Sequence, residues 1–203
     1  MGKHNGSIDS KVMSRIQAKG RGYIFSQSAF LDLGGRDALD HVLSRNARAG
    51  LIRKLARGLY DYPRKHPRLG LLAPSVDAVA KALQDKDSSR LQVSGAHAAN
   101  LLGLSEQVPM KAVFLTDGRT RKVQLGRQTV ILKKTTPRQM VTAGRISGTV
   151  IQALRWLGQT HVDDKVVASL QRKLSKRDKQ QLLDDIRFAP AWIGEILRRV
   201  AAK

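Results

Sequence analysis

Asp37, His41, Ser44, Arg45 and Arg48 lie opposite a stripe of Leu39, Val42 and Leu43 when residues 36–48 are wound as a helix, and Arg36 stands at the helix start. Arg53, Lys54 and Arg57 follow within nine residues of that segment. The chemistry open to this set is recognition of fixed anions and base edges. A guanidinium bonds two acceptors at once, on a guanine edge or a phosphate, and a serine hydroxyl serves several bases. Arg45 and Arg48 are the candidates for base reading, and Arg36 is placed at the segment's start to meet phosphate. Any one of these side chains alone reads as a solvated charge. The helix-face cations and the next cations in sequence carry weight together, because they form one run.

The run "LIRKLARGLYDYPR" at 51–64 explains the second group. It reads as two short strands joined by a tight turn at Gly58. In that reading Leu51 and Leu55 anchor the hairpin, while Arg53 and Arg57 point away from the core with period two. Tyr60 is expected to pack on the core. Ser26 precedes "QSAFLDL" and reads as a helix cap, which would turn the amides of Gln27 and Ser28 toward a phosphate oxygen.

A second basic cluster lies at 111–145. Lys111, Arg119, Arg121, Lys122, Arg127, Lys133, Lys134, Arg138 and Arg145 face one acid, Asp117. A solvated sheet with charged edges, which resists edge-to-edge pairing, is one reading. The other is a second DNA contact, or a seat for an acidic or nucleotide-bearing partner.

These side chains need elements to hold them. "DSKVMSRIQAK" at 9–19 has helical spacing of Val12, Met13 and Ile16, and Gly20 follows it. "YIF" at 23–25 is β-prone, and a helix from 27 stops at Gly34–Gly35. A helix from Arg36 to Gly50 and the hairpin complete the order helix, strand, helix, helix, hairpin. That is the order of a winged helix-turn-helix, whose third helix enters a major groove with the hairpin beside it. "PRKHPRLGLLAPS" holds three prolines and one glycine and predicts a linker. A helix at 76–86, a strand and short helix at 90–104, and a three-stranded meander over 111–134 follow. Helices are predicted at 147–157, 162–174, 176–187 and 190–201. The expected fold class is α+β, with a winged helix-turn-helix domain at 1–66, a linker at 67–74 and a C-terminal α+β domain at 75–203.

Charge sets the partner class. Lys and Arg number 37 against 16 Asp and Glu, a net charge of +21 in 203 residues. The excess is +9 over residues 1–70 and +12 over 71–203, so both halves are built to meet a polyanion. Nucleic acid leads, ahead of an anionic membrane surface. There is no cysteine, which removes disulfides, thiolate zinc sites and cysteine nucleophiles. "MGKHNGSIDS" lacks an apolar stretch, and Gly6 stands where a myristoylation signal wants Ser or Thr. No run reaches membrane-span length. The expectation is a cytoplasmic protein.

Catalytic signatures are missing from the sequence. His4, His41, His66, His97 and His161 have no metal-ligand spacing, and no Walker loop or G-x-S-x-G occurs. Asp163–Asp164 suit the first turn of a helix, and Asp184–Asp185 read as a solvated helix face. His97 reads as a packing residue. The expectation is a protein that is not an enzyme and has no cofactor or metal.

"GRGYIFSQSAF" and "DALDHVLSRNARAGLIRKLARGLYDYP" resemble the N-terminal winged helix of AbiEi-type antitoxins from AbiE (type IV) toxin–antitoxin systems. "FLTDGRTRKVQLGRQTVILKKTTPRQM" resembles the C-terminal domain of that group, through Thr116, Gly118, Arg121, Gly126, Ile131, Leu132, Pro137 and Arg138. The resemblance runs over about residues 8 to 190. It implies a phage-defence antitoxin that binds inverted repeats in its own promoter, represses the operon and neutralises a co-encoded nucleotidyltransferase-like toxin. It also implies DNA contact by Arg36, Ser44, Arg45, Arg48, Arg53, Lys54 and Arg57. Arg121, Lys122, Arg127, Lys133, Lys134 and Arg138 would carry the C-terminal role. Oligomerisation on DNA is compatible with it. Two other readings stand beside this one. One is an antitoxin acting by direct toxin contact with DNA secondary, and the other is a basic RNA-binding module. The second is thin, because two Trp, three Tyr and four Phe form no stacking ladder.

Overall fold

The computed structural model describes residues 6–202. Gly2 and His4 lie outside them. The chain divides into two compact units, Met1–Asp87 with Val123–Arg127, and Ser88–Lys122 with Gln128–Lys203. Composition placed the division within 67–74. The contacts place it after the helix that follows.

The first unit begins with helix α1, Ile8–Lys19. Ser7 caps it by accepting the Ser10 amide at 3.1 Å, and Gly20 leaves it at φ 81°. Val12 and Ile16 are fully buried. Strand β1, Ile24–Ser26, leads into a single 3₁₀ turn over Gln27–Phe30. The longer helix expected from 27 does not form. Ser26 makes no cap bond, because its hydroxyl lies 2.6 Å from the Ser28 hydroxyl.

Helix α2, Arg36–Arg48, buries Leu39, Val42 and Leu43 as its spacing requires. It also buries Asn46, whose amide donates to Asp9 at 2.7 Å and to the Val42 carbonyl at 2.9 Å. Strands β2, Arg53–Ala56, and β3, Leu59–Asp61, form the hairpin. The sheet order is β1-β3-β2, all antiparallel. Phe25, Phe30 and Tyr60 meet in an aromatic cluster beneath it, and Tyr60 is buried as expected.

A small hairpin follows, β4 at Lys65–His66 and β5 at Gly70–Leu71, within the stretch that reads as a linker. Helix α3, Val76–Asp87, completes the unit.

The second unit opens with β6, Leu91–Ser94, and α4, Gly95–Leu101. Strands β7, Lys111–Thr116, β8, Arg121–Leu125, of which Val123–Leu125 group with the first unit, and β9, Gln128–Lys134, follow. The sheet order is β6-β7-β9-β8, and β7 runs parallel to β9. This corrects the antiparallel meander. Thr129, Val130 and Leu132 of β9 are buried, so β9 takes the interior position that covers both its edges. β8 alternates exposed Lys122 and Gln124 with buried Val123 and Leu125, a pattern that an edge strand tolerates.

Helices α5, Pro137–Met140, α6, Ile146–Leu157, α7, Asp164–Lys173, α8, Lys176–Asp184, and α9, Ala191–Ala201, close the chain. α6 is buried from Ser147 to Leu154 except at Thr149 and forms the centre of a core with Ala98, Leu170, Leu182, Ile193 and Leu197. Gly148 lets it approach. A Cβ there would collide with Gln92 Oε1 and the Thr142 carbonyl. Asp163 caps α7, and a reciprocal capping box of Ser175 and Asp178 starts α8.

Of the acidic pair at 184–185, Asp184 is exposed as expected, and Asp185 is not. Asp185 is buried, pairs with Arg145 at 2.7 Å, and accepts the Ser147 hydroxyl at 2.5 Å. His97 is buried edge-on to Phe114, the packing role expected of it.

Candidate functional site

α2 presents Arg36, His41, Arg45 and Arg48 as exposed residues, with Ser44 half-buried among them. His41, Ser44, Arg45 and Arg48 share the face opposite the stripe that buries Leu39, Val42 and Leu43, together with exposed Asp37, while Arg36 lies at the helix start off that face. Arg45 is engaged in part. Its guanidinium lies 3.1 Å from Asp9 of α1 while its side chain stays mostly exposed. No ion pair is recorded for Arg36 or Arg48 among the described residues.

The hairpin differs from its period-two reading. Its register shifts between Lys54 and Ala56, a bulge that breaks the alternation. Arg53 sits opposite Asp61 and donates to it from Nε at 3.0 Å and from Nη2 at 2.6 Å. Nη2 also reaches the Leu72 carbonyl at 3.0 Å. The Asp61 side chain is 2 % exposed and that of Arg53 is 29 % exposed. Arg53 is therefore spent on holding the hairpin and is not a free phosphate donor. The anchoring residue is Ile52, fully packed, while Leu51 is half exposed and Leu55 is partly covered. Lys54 and Arg57 are exposed, with Arg57 at the tip beside Gly58 at φ 66°.

The tip returns to the start of α2. Ser26, Gln27, Ser28, Arg36, Gly58 and Lys86 line one hollow of about 220 Å³. The Gln27 side-chain amide donates to the Arg36 carbonyl, which ties the 3₁₀ turn to the helix start. Lys86 Nζ approaches the Arg57 and Gly58 carbonyls at 3.4 Å. The hollow thus brings Ser26, Ser28, Arg36 and Lys86 together next to the hairpin tip, with the Ser26 and Ser28 hydroxyls bonded to each other; hydroxyl, guanidinium and ammonium groups are the donor types suited to an oxyanion. Lys86 is the residue that sequence reasoning missed. It belongs to α3, and nothing near it in sequence links it to residue 58. Ser26 takes part through its place in this hollow, with one 3₁₀ turn behind it and no helix dipole.

Arg15 and Asp32 brace the same unit. Arg15 donates to both Asp32 oxygens at 2.7 Å and to the Ala29 carbonyl at 3.1 Å. Those bonds hold the Asp32 carboxyl below its ordinary range and raise Arg15.

The C-terminal basic residues, of which Arg127 groups with the first unit, do not form one face. Arg119 and Arg121 sit beside the end of β9, where the Lys134 amide donates to Thr120 Oγ1. Lys133 and Lys134 lie there next to Leu115 and Thr116 of β7. Arg127 occupies the turn at the opposite end of β8 and β9. Lys122 is exposed on β8, and Arg138 stands on α5. Asp117 is taken by Arg90, whose guanidinium and backbone amide both donate to it at 2.8 Å and depress its pKa.

No group of His, Cys, Asp and Glu among the described residues is arranged to hold a metal ion. None of their helices is long and apolar enough to cross a membrane. Residues 11–182 match the model of a family described as being of unknown function, a match that runs through both units. No curated protein matches the chain.

Proposed function

From a chain that belongs to DUF6088, a family of unknown function, we propose a duplex-DNA-binding repressor and antitoxin that carries its DNA contacts on the first unit. The element order α1, β1, 3₁₀ turn, α2, β2, β3 with sheet order β1-β3-β2 supports a winged helix-turn-helix reading. α2 is then the helix that enters the major groove, with Arg48 and Ser44 toward base edges and Arg45 beside them. Arg57 and Lys54 of the hairpin contact backbone phosphate.

The observation that carries the reading is the hollow shared by Ser26, Ser28, Arg36, Gly58 and Lys86. Its polar residues lie next to the start of α2 and the hairpin tip, which supports a path for a duplex backbone at that junction. The net charge of +21 supplies the long-range attraction. The antitoxin part, with binding of promoter inverted repeats and neutralisation of a co-encoded nucleotidyltransferase-like toxin, rests on the sequence resemblance. In this reading the second unit faces the toxin.

The test is a binding titration of the full chain against its own promoter region and against random duplex of equal length at physiological salt. Tighter binding to the promoter by about a thousandfold is expected of a specific site. Equal affinity for the two overturns the repressor reading. Co-expression with the adjacent gene product tests the antitoxin part separately.

A further inference from the structure

A second concave site lies within the second unit, just beyond the end of β9. Arg138, Thr142, Gln152, Arg155 and Phe188 line a cleft of about 380 Å³ formed by α5, α6 and the turn that ends at Pro190. That volume is within the range of small-molecule sites, ~300–1,000 Å³.

No carboxylate lines the cleft. Neither Arg138 nor Arg155 has an acidic partner among the described residues. Both arginines are exposed, and partial burial with the charge of Arg138 lowers the Arg155 pKa.

Two further polar side chains converge there although each is more than nine-tenths buried. Gln152 is 8 % exposed and Thr142 is 6 % exposed. The Ser94 hydroxyl donates to Gln152 Oε1 at 3.3 Å, which orients the amide. Gln152 Nε2 and the Thr142 hydroxyl have no protein partner among the described residues. Two forked cations and neutral donors around one space, with acids excluded, match a dianion with several terminal oxygens better than a single carboxylate.

We infer that this cleft binds a small phosphate-bearing molecule, its phosphate held between Arg138 and Arg155 with Gln152 and Thr142 donating from the wall. The remaining space beside Phe188 takes the group esterified to that phosphate. The residues lining the cleft belong to the second unit, and the proposed DNA contacts to the first.

The experiment uses the full chain at constant ionic strength, with chloride as the balancing anion. Calorimetric titration and thermal unfolding are measured with inorganic phosphate and with adenosine monophosphate, on wild type, Arg138→Gln and Arg155→Gln. Saturable binding and a raised melting temperature are expected in wild type, with affinity about tenfold weaker or worse in each variant. Without ligand, Arg155→Gln is expected to melt no lower than wild type, because it removes an uncompensated cation. An equal response of all three proteins to phosphate, or no response in wild type, overturns the proposal. A short random duplex forms the last arm. If it alone depends on Arg138 and Arg155, the cleft serves polynucleotide phosphate and the small-molecule assignment fails. Loss of promoter recognition in first-unit variants leaves the cleft result standing, so the two readings fail separately.

Discussion

Arg53 and Asp61 face each other across the two strands of the hairpin and share two hydrogen bonds, at 3.0 and 2.6 Å. The pair converts a cation that sequence spacing turns outward into the clamp of the hairpin. Arg53→Ala leaves the buried Asp61 carboxylate uncompensated and is expected to cost about 3 kcal/mol. Urea denaturation checks this. A loss below about 1 kcal/mol would show that the clamp does not hold the unit.

The same pair separates structural from binding cations. In folded protein at low temperature, Arg57→Ala is expected to reduce the log–log salt slope of DNA binding by about 1. Arg53→Gln is expected to leave that slope unchanged, because Arg53 meets no phosphate. With about six phosphate contacts the wild-type slope is about −5. Titrations at four or five salt concentrations measure all three.

Base reading is expected to divide from phosphate binding along the elements. Arg48→Ala should relax preference for the promoter over random duplex, at about 1–3 kcal/mol of discrimination. Lys86→Ala should weaken every duplex alike, because Lys86 belongs to the hollow at the hairpin tip. Competition binding with both duplexes distinguishes them, and the reverse pattern would exchange the two faces.

Gly148→Ala is expected to destabilise the second unit by about 1–3 kcal/mol. The added methyl meets Gln92 Oε1 and the backbone carbonyl of Thr142, and the backbone does not yield easily. Thermal unfolding measures the loss. A melting temperature equal to wild type would mean that α6 has room to move.

Acid should weaken the fold through Asp32 and Asp117. Their hydrogen bonds from Arg15 and Arg90 hold both below their ordinary value of 3.8 in the folded chain. The unfolded chain therefore binds more protons as pH falls through that value. The contribution is complete above it and is lost as pH drops toward the depressed native values. The Asp32→Asn, Asp117→Asn double variant should show a shallower decline between about pH 5 and 2, with the two curves meeting at the acid end. Denaturant midpoints across that range test it.

Local periodicity carried much of the first unit. Leu39, Val42 and Leu43 recur at helical spacing, so burying them turns His41, Arg45 and Arg48 outward whatever lies around them. Gly20 and Gly58 marked a helix end and a turn, because both adopt positive φ. Period two failed at Leu55, where one extra residue in the bulge shifted the register against β3. Ser26 has the residue type of a cap, but its hydroxyl is bound to Ser28.

By itself, then, the amino-acid order determined the basic charge, the apolar stripes and the succession of elements, since these depend on residue type and spacing a few positions apart. Tertiary structure alone decided that β9 inserts between β7 and β8, that Lys86 meets Gly58, and that Arg138 shares a cleft with Arg155. Those relations join residues 17 or more positions apart. Strand adjacency and side-chain meetings at that range are chosen by which packing buries the most apolar surface and satisfies the most polar groups, a property of the whole unit.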